Sequence, residues 1–212
     1  MQKQFYWKGA EAELTQKEYD GEKALSKKRI PKGYRHPKLD EEIRKKRTRG
    51  EAKLLRTAAS SIRVPRIFSV DENGAEILME FVQGKILKAM VETDKELCIE
   101  AGKEIKCLHD LGIIHGDLTT SNIIVLDLAA EKKKDSKRKG ERKHKLCFVD
   151  FGLGYFSKKI EDKATDIVVF KKTFNATHSS LIDGWKLVMK GYEPNKEMVE
   201  RMAAIEKRAR YH

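Results

Sequence analysis

From residue 4 to residue 30, apolar and polar residues alternate. β-forming types are common there, and Asp20-Gly21 sits between two runs. A period of two with a turn pair in the middle predicts antiparallel hairpins. Over residues 39–59 the period changes. The stretch holds no proline and one glycine, and Leu54, Leu55 and Ala58 form an apolar stripe. Asp40 stands where a helix cap would, so a long helix is expected. Residues 66–70 and 75–82 flank Asp71-Glu72-Asn73-Gly74, a second hairpin signal. Leu97, Ile99, Ala101, Ile105 and Leu108 predict a helix over 94–111 with one buried face. Residues 113–125 read as a loop running into a strand, residues 146–152 as a strand ending in a turn, and residues 180–210 as helical. No internal repeat is present.

Charge modifies this picture in one place above all. The 212 residues carry 45 Lys and Arg against 33 Asp and Glu, a net +12. Residues 131–145 hold nine Lys/Arg and three acids, half of that excess, with no core-forming residue. They are expected to be a disordered basic insertion, within about 128–145, between two strands. Residues 27–49 hold eleven Lys/Arg and three acids, which suits either a solvated helix face or a surface for an anionic partner. Cys98, Cys107 and Cys147 lie outside any CxxC, which argues against zinc and for a reducing compartment. The N-terminus has no signal-peptide core, and no apolar run is long enough to span a bilayer. A soluble cytoplasmic protein is expected, with no membrane partner. The 131–145 run has the makeup of a nuclear import patch as well as of a solvated loop, so the nucleus stays open as a second location.

The chemistry concentrates in His115-Gly116-Asp117, then Asn122, then Asp150-Phe151-Gly152. An Asp and an Asn five apart on one loop, with an Asp on a facing hairpin, can converge on Mg²⁺ and a phosphoryl group. One carboxylate orients the acceptor, while two oxygen ligands hold metal against phosphates. The plainer alternative is that Asp117 and Asp150 are turn residues at strand ends. A kinase-type site also needs a strand lysine paired to a helix glutamate. Lys27, Lys28 and Arg29 are the strand candidates and Glu51 the helix candidate, against the alternatives of a solvated lysine and an i,i+4 surface pair. The glycine-rich loop is poor, since residues 8–12 offer only Gly9.

These segments resemble the small atypical kinase subunit of the KEOPS (EKC) complex, the PRPK-type kinases related to RIO kinases. The likeness rests on GAEA (9–12), residues 27–55 with GYRHPKLD, MEFVQG (79–84), IIHGDLTTSNIIV (113–125), DFGLGYFS (150–157), residues 161–174 and ATHSS (176–180). It implies an α+β, bilobal protein-kinase-like fold, with a β-rich N-lobe over 1–82 and a reduced helical C-lobe over 83–212. It further implies ATP and Mg²⁺ as cofactors and Asp117 as the catalytic residue. Asn122 and Asp150 would be the metal ligands. Gly9, Lys27, Glu51 and the hinge residues Met79, Glu80 and Phe81 would be the nucleotide contacts. Implied partners are a large universal metal-binding tRNA-modifying subunit, a small subunit on the N-lobe, and tRNA. The implied activity is that of a non-specific serine/threonine kinase or ATPase supporting threonylcarbamoyladenosine modification of tRNA. The tail from Lys207 to Arg210 resembles a basic terminus implied to touch tRNA.

The chain departs from ordinary kinases in three ways. Gly116 replaces the arginine that receives an activation-loop phosphate, no APE follows Asp150-Phe151-Gly152, and only 60 residues follow Gly152. ATP hydrolysis within a complex is therefore expected over broad protein phosphorylation. Competing readings are a pseudokinase-like nucleic-acid-binding adaptor and a small-molecule kinase of the aminoglycoside or choline type. The latter shares HGDL but needs a larger helical C-lobe.

Overall fold

In the computed structural model, residues 4–126 and 146–209 are described, with side chains from residue 7 onward. The basic run 131–145 and Arg210 therefore lie outside the described residues. Five strands, β1 (Gln4–Lys8), β2 (Ala12–Tyr19), β3 (Glu22–Arg29), β4 (Ile67–Asp71) and β5 (Glu76–Glu80), form one antiparallel sheet in the order β1-β2-β3-β5-β4. The expected hairpins are all present. Asp20-Gly21 turns β2 into β3 with both residues at positive φ. In the β4–β5 turn, Asp71 Oδ1 accepts the Gly74 N–H at 2.9 Å.

Helix α1 (Pro37–Ala58) crosses this sheet. It begins two residues earlier than the apolar pattern predicts, because Pro37 suits a first helical turn, where no N–H partner is needed. Asp40 is accordingly no cap. It is buried in the first turn and takes Arg44 Nε at 2.7 Å, Arg35 Nη1 at 3.4 Å and the Lys32 N–H at 3.3 Å. α1 packs in two directions. Ala52 joins Ile77 and Met79 under the sheet, while Leu54, Leu55 and Ala58 belong to the main core with the C-terminal elements. One helix thus ties the two halves together.

The C-terminal part holds two small sheets and the remaining helices. β6 (Gly84–Ile86), β8 (Ile123–Leu126) and β9 (Leu146–Phe148) form one sheet, and β7 (Ile113–Ile114) pairs with β10 (Tyr155–Phe156) in the other. The helices are α2 (Leu87–Met90), α3 (Glu96–Asp110), α4 (Ile160–Thr177), α5 (Gly184–Tyr192) and α6 (Lys196–Arg208). The expected C-terminal helix is two helices, broken where Glu193 turns left-handed before Pro194. α4 is absent from the sequence reading, since its apolar positions show no single stripe and it is buried on several sides. α3 and α5 cross closely. A Cβ on Gly102 would lie 2.0 Å from the Val188 carbonyl oxygen, and one on Gly191 would lie 1.9 Å from that of Ile99. Cys98, Cys107 and Cys147 form no disulfide with one another. No helix among the described residues is long and apolar enough to cross a membrane.

Candidate functional site

Strand alternation decides which basic residue of β3 faces inward. Leu14, Lys27 and Ile77 are cross-strand partners, so they share the face turned toward α1. Arg29 shares it, and exposed Lys28 does not. Lys27 Nζ donates to Glu51 Oε1 at 2.6 Å and to Asp150 Oδ1 at 2.7 Å. Arg29 Nη2 donates to the other Glu51 oxygen, also at 2.6 Å. The Glu51 side chain is 1 % exposed and that of Arg29 5 %, whereas that of Asp150 is half exposed. Burial alone would lower the Lys27 pKa, but the charges and hydrogen bonds of Glu51 and Asp150 hold it above its ordinary value. Burial likewise pushes Asp150 up, and Lys27 more than offsets it, leaving the carboxyl below the usual range.

The catalytic loop follows β7. Asn122 ends one turn of 3-10 helix (Thr120–Asn122), and its Nδ2 donates to the Asp117 carbonyl at 2.8 Å and to Asp117 Oδ2 at 3.0 Å. Buried Leu118 pins the loop to the core, and Asp117 is exposed. Thr120 is held from the far side by the His178 ring at 3.2 Å. The facing segment reaches Asp150 at a φ of +62°, an unusual conformation for a non-glycine residue, and Oδ1 then accepts the Gly152 N–H at 3.3 Å. Gly152 itself lies against the charges: a Cβ there would sit 3.3 Å from Arg29 Nη2 and 3.6 Å from Lys27 Nζ.

Beneath the loop lies a network absent from the sequence reading. Asp166, buried on α4, accepts the His115 N–H at 2.8 Å and the Gly116 N–H at 3.0 Å. His109 Nε2 is 3.2 Å from the same carboxylate, and His109 Nδ1 is 2.8 Å from the Tyr192 hydroxyl. Donation from Nε2 to the carboxylate leaves Nδ1 to accept the Tyr192 O–H. Burial raises the Tyr192 pKa, keeping that proton in place. Burial also raises the Asp166 carboxyl, but His109 and the two amides outweigh it and hold it below the ordinary value. Burial lowers the His115 pKa, so this ring is neutral and its Nε2 donates to the Val149 carbonyl at 3.1 Å. Gly116 has φ +78°, and a Cβ there would lie 2.4 Å from the Leu153 carbonyl oxygen. No larger residue fits, which accounts physically for the missing arginine.

The structure thus brings Lys27, Glu51 and Asp150 together and joins Asp117 to Asn122. Gly9 lies in the tight β1–β2 turn, its N–H 3.0 Å from the Ala12 carbonyl, with the Trp7 ring packed where a Cβ would be. Lys32 Nζ bonds the Ala10 carbonyl, and Arg47 reaches Glu11 at 2.8 Å. The hinge residues expected beside the nucleotide lie at the end of β5. Met79 is in the core, and Glu80 is gripped by Arg63 at 2.8 and 2.9 Å. The Glu80 and Phe81 amides are spent on the Arg66 and Lys23 carbonyls.

A model of the RIO domain matches residues 13–130. The chain belongs to the RIO domain family, among the Bud32 proteins. It is 36% identical to the KEOPS complex subunit Bud32 of Pyrococcus abyssi, covering 89% of this chain and 84% of that protein. It is 39% identical to a probable bifunctional tRNA threonylcarbamoyladenosine biosynthesis protein of Methanothermobacter thermautotrophicus, covering 96% of this chain and 36% of that protein. The chain therefore spans about a third of the length of such bifunctional relatives. Among solved structures, Rio2 kinase from Chaetomium thermophilum, titled as an ADP/Mg²⁺-phosphoaspartate complex, matches with a TM-score of 0.56 at 14% identity, over 97% of this chain and 70% of that one. WaaP, solved with acyl carrier protein, matches with a TM-score of 0.65 at 10% identity, over 99% and 88%. At such identities these likenesses concern the fold, which is protein-kinase-like: a β-sheet N-terminal region and a helical C-terminal part. With Bud32 relatives on one side and a RIO kinase on the other, the chain is a kinase-like RIO domain.

Proposed function

We propose that this RIO domain binds ATP with Mg²⁺ and transfers its terminal phosphoryl group, chiefly to water, as the ATPase subunit of a tRNA-modifying assembly. The observation that carries the reading is Lys27 held between Glu51 and Asp150 while Asn122 holds Asp117. Lys27 supplies a fixed positive charge for nucleotide phosphates, and Glu51 fixes its direction. Asp117, exposed and steadied by Asn122, accepts a hydrogen bond from the attacking hydroxyl or water.

The residues fit a magnesium ion. The Asn122 amide gives its nitrogen to Asp117, which leaves its oxygen as the group available to a cation, and the Asp150 bonds fall on Oδ1. Two oxygen donors on facing segments suit a hard cation that completes its shell with phosphates and water. When bound, Mg²⁺ neutralises charge on the phosphate oxygens.

The names of the relatives, KEOPS complex subunit Bud32 and tRNA threonylcarbamoyladenosine biosynthesis protein, support the setting; the large metal-binding modifying subunit and the small N-lobe subunit are part of the proposal. The +12 charge supports contact with tRNA backbone. The test is phosphate release from ATP by the full chain, with Mg²⁺ or EDTA, and with and without tRNA and the modifying subunit. Magnesium-dependent turnover that the assembly stimulates supports the proposal. Transfer to a protein serine or threonine faster than to water would make it a kinase instead. Binding of tRNA with no turnover under any condition would make it an adaptor.

A further inference from the structure

Arg29 is the second cation on Glu51, and kinase-type chemistry by itself requires only the lysine. We propose that Arg29 is the positioning residue that keeps α1 seated when nucleotide phosphates come to share Lys27 with its carboxylates. This rests on the ATP-binding reading above.

Four charges meet in the cleft: Lys27 and Arg29 against Glu51 and Asp150. In the ligand-free arrangement they balance, and Lys27 divides its bonds between both acids at 2.6 and 2.7 Å. A magnesium nucleotide brings phosphates that compete for Lys27 and a cation that competes for Asp150. With Lys27 as its only partner, Glu51 would then be a buried carboxylate with a weakened counter-ion, which is strongly unfavourable. Helix α1, which carries Glu51, would be free to drift. Arg29 removes that dependence. It occupies the Glu51 oxygen that Lys27 does not use, at 2.6 Å, and its own side chain is 5 % exposed. Its backbone N–H is fixed to the Ala75 carbonyl at 2.9 Å, and it pairs with Ala12 across the sheet. Glu51 is therefore anchored to the sheet by a group that phosphates do not need. A planar guanidinium suits this task better than an ammonium, since it keeps its charge and geometry when buried. Because α1 also supplies Leu54 and Leu55 to the main core, holding Glu51 holds the relation between the sheet and the catalytic loop.

The experiment uses the full chain and the variants Arg29→Met, Arg29→Lys and Lys27→Met. Amide hydrogen exchange along α1 is followed without nucleotide and with Mg-ADP, beside steady-state ATP turnover. Arg29→Met is expected to speed exchange near Glu51 about tenfold while α3 amides change little. Lys27→Met is expected to leave α1 protected, and Arg29→Lys to restore part of the protection. Turnover by Arg29→Met should show kcat down about tenfold with KM within about threefold. The proposal fails if Lys27→Met loosens α1 as much as Arg29→Met does, or if Arg29→Met leaves α1 unchanged. If Arg29→Met loosens the whole chain, Arg29→Lys decides: loosening confined to α1 supports the role, and uniform loosening overturns it. Wild-type protein that does not turn over ATP, while Arg29→Met still loosens α1 selectively, would refute the ATPase reading and keep the anchor.

Discussion

Glu51 and Asp166 are both buried carboxylates, one under the sheet and one under the catalytic loop, and their partners differ in kind. Glu51 faces two formal cations, one of which it shares with half-exposed Asp150. Asp166 faces two backbone amides and the ring of His109, itself tied to Tyr192. The first cluster can exchange partners, because a phosphate or a cation offers the same kind of interaction as the groups already there. The second cannot: no ligand replaces a main-chain N–H that the fold itself has placed. Chemistry is expected to live in the first cluster and rigidity in the second.

Substitutions can separate the two. The largest effect is expected from Asp150→Asn. Magnesium-dependent phosphate release should fall on the order of 10²- to 10³-fold, the usual scale for losing one group that stabilises developing charge. The melting temperature should barely move, and a matching loss of stability would place Asp150 among the scaffold residues. Asp166→Ala should do the reverse in emphasis. Urea unfolding should show about 3 kcal/mol of lost stability, because two amides and a histidine are left buried without an acceptor. Its acid behaviour has a defined sign. The folded pKa of Asp166 lies below the ordinary 3.8, so its contribution is complete above that value and is lost as pH falls through the folded pKa. Asp166→Asn should flatten the stability loss in that range. Tyr192→Phe removes one buried hydroxyl bond and should cost about 1 kcal/mol, with turnover unaffected. Least of all, Lys28→Ala should change stability by less than about 0.5 kcal/mol and leave turnover unchanged, since Lys28 points away from the cleft. A large loss there would mean that the working register of β3 is shifted by one residue.

The exchangeable cluster was far more legible in the sequence than the rigid one, for a physical reason. Phosphate chemistry needs particular side chains at particular spacings, so Asp117, Asn122 and Asp150 stand out in a single chain, whereas Lys27, Lys28 and Arg29 stay open until the resemblance points to Lys27 and the strand pairing turns it inward. The supporting network needs only some acceptor beneath the loop. Asp166 comes from a helix 49 residues beyond Asp117, with nothing in its neighbourhood but burial to mark it. An acid inside the run Ala164-Thr165-Asp166-Ile167-Val168-Val169-Phe170 was the available signal. The hairpins and α3 followed their periods, whereas α4, buried on several sides, had no stripe to read. Asp40 misled because it is the right residue type near a helix start. Its carboxylate serves two arginines instead, and Pro37 sets the boundary.

Asp150 occupies left-handed backbone, φ +62°, and this narrows the ways in which a descendant of this chain could abandon phosphate chemistry. Asparagine and glycine accept that conformation with little penalty, whereas β-branched residues resist it. A lineage that kept the fold for binding alone would therefore drift most easily through Asn or Gly at this one position. The residue found there in any relative is thus a compact record of whether selection still asks that relative to handle a metal-bound nucleotide.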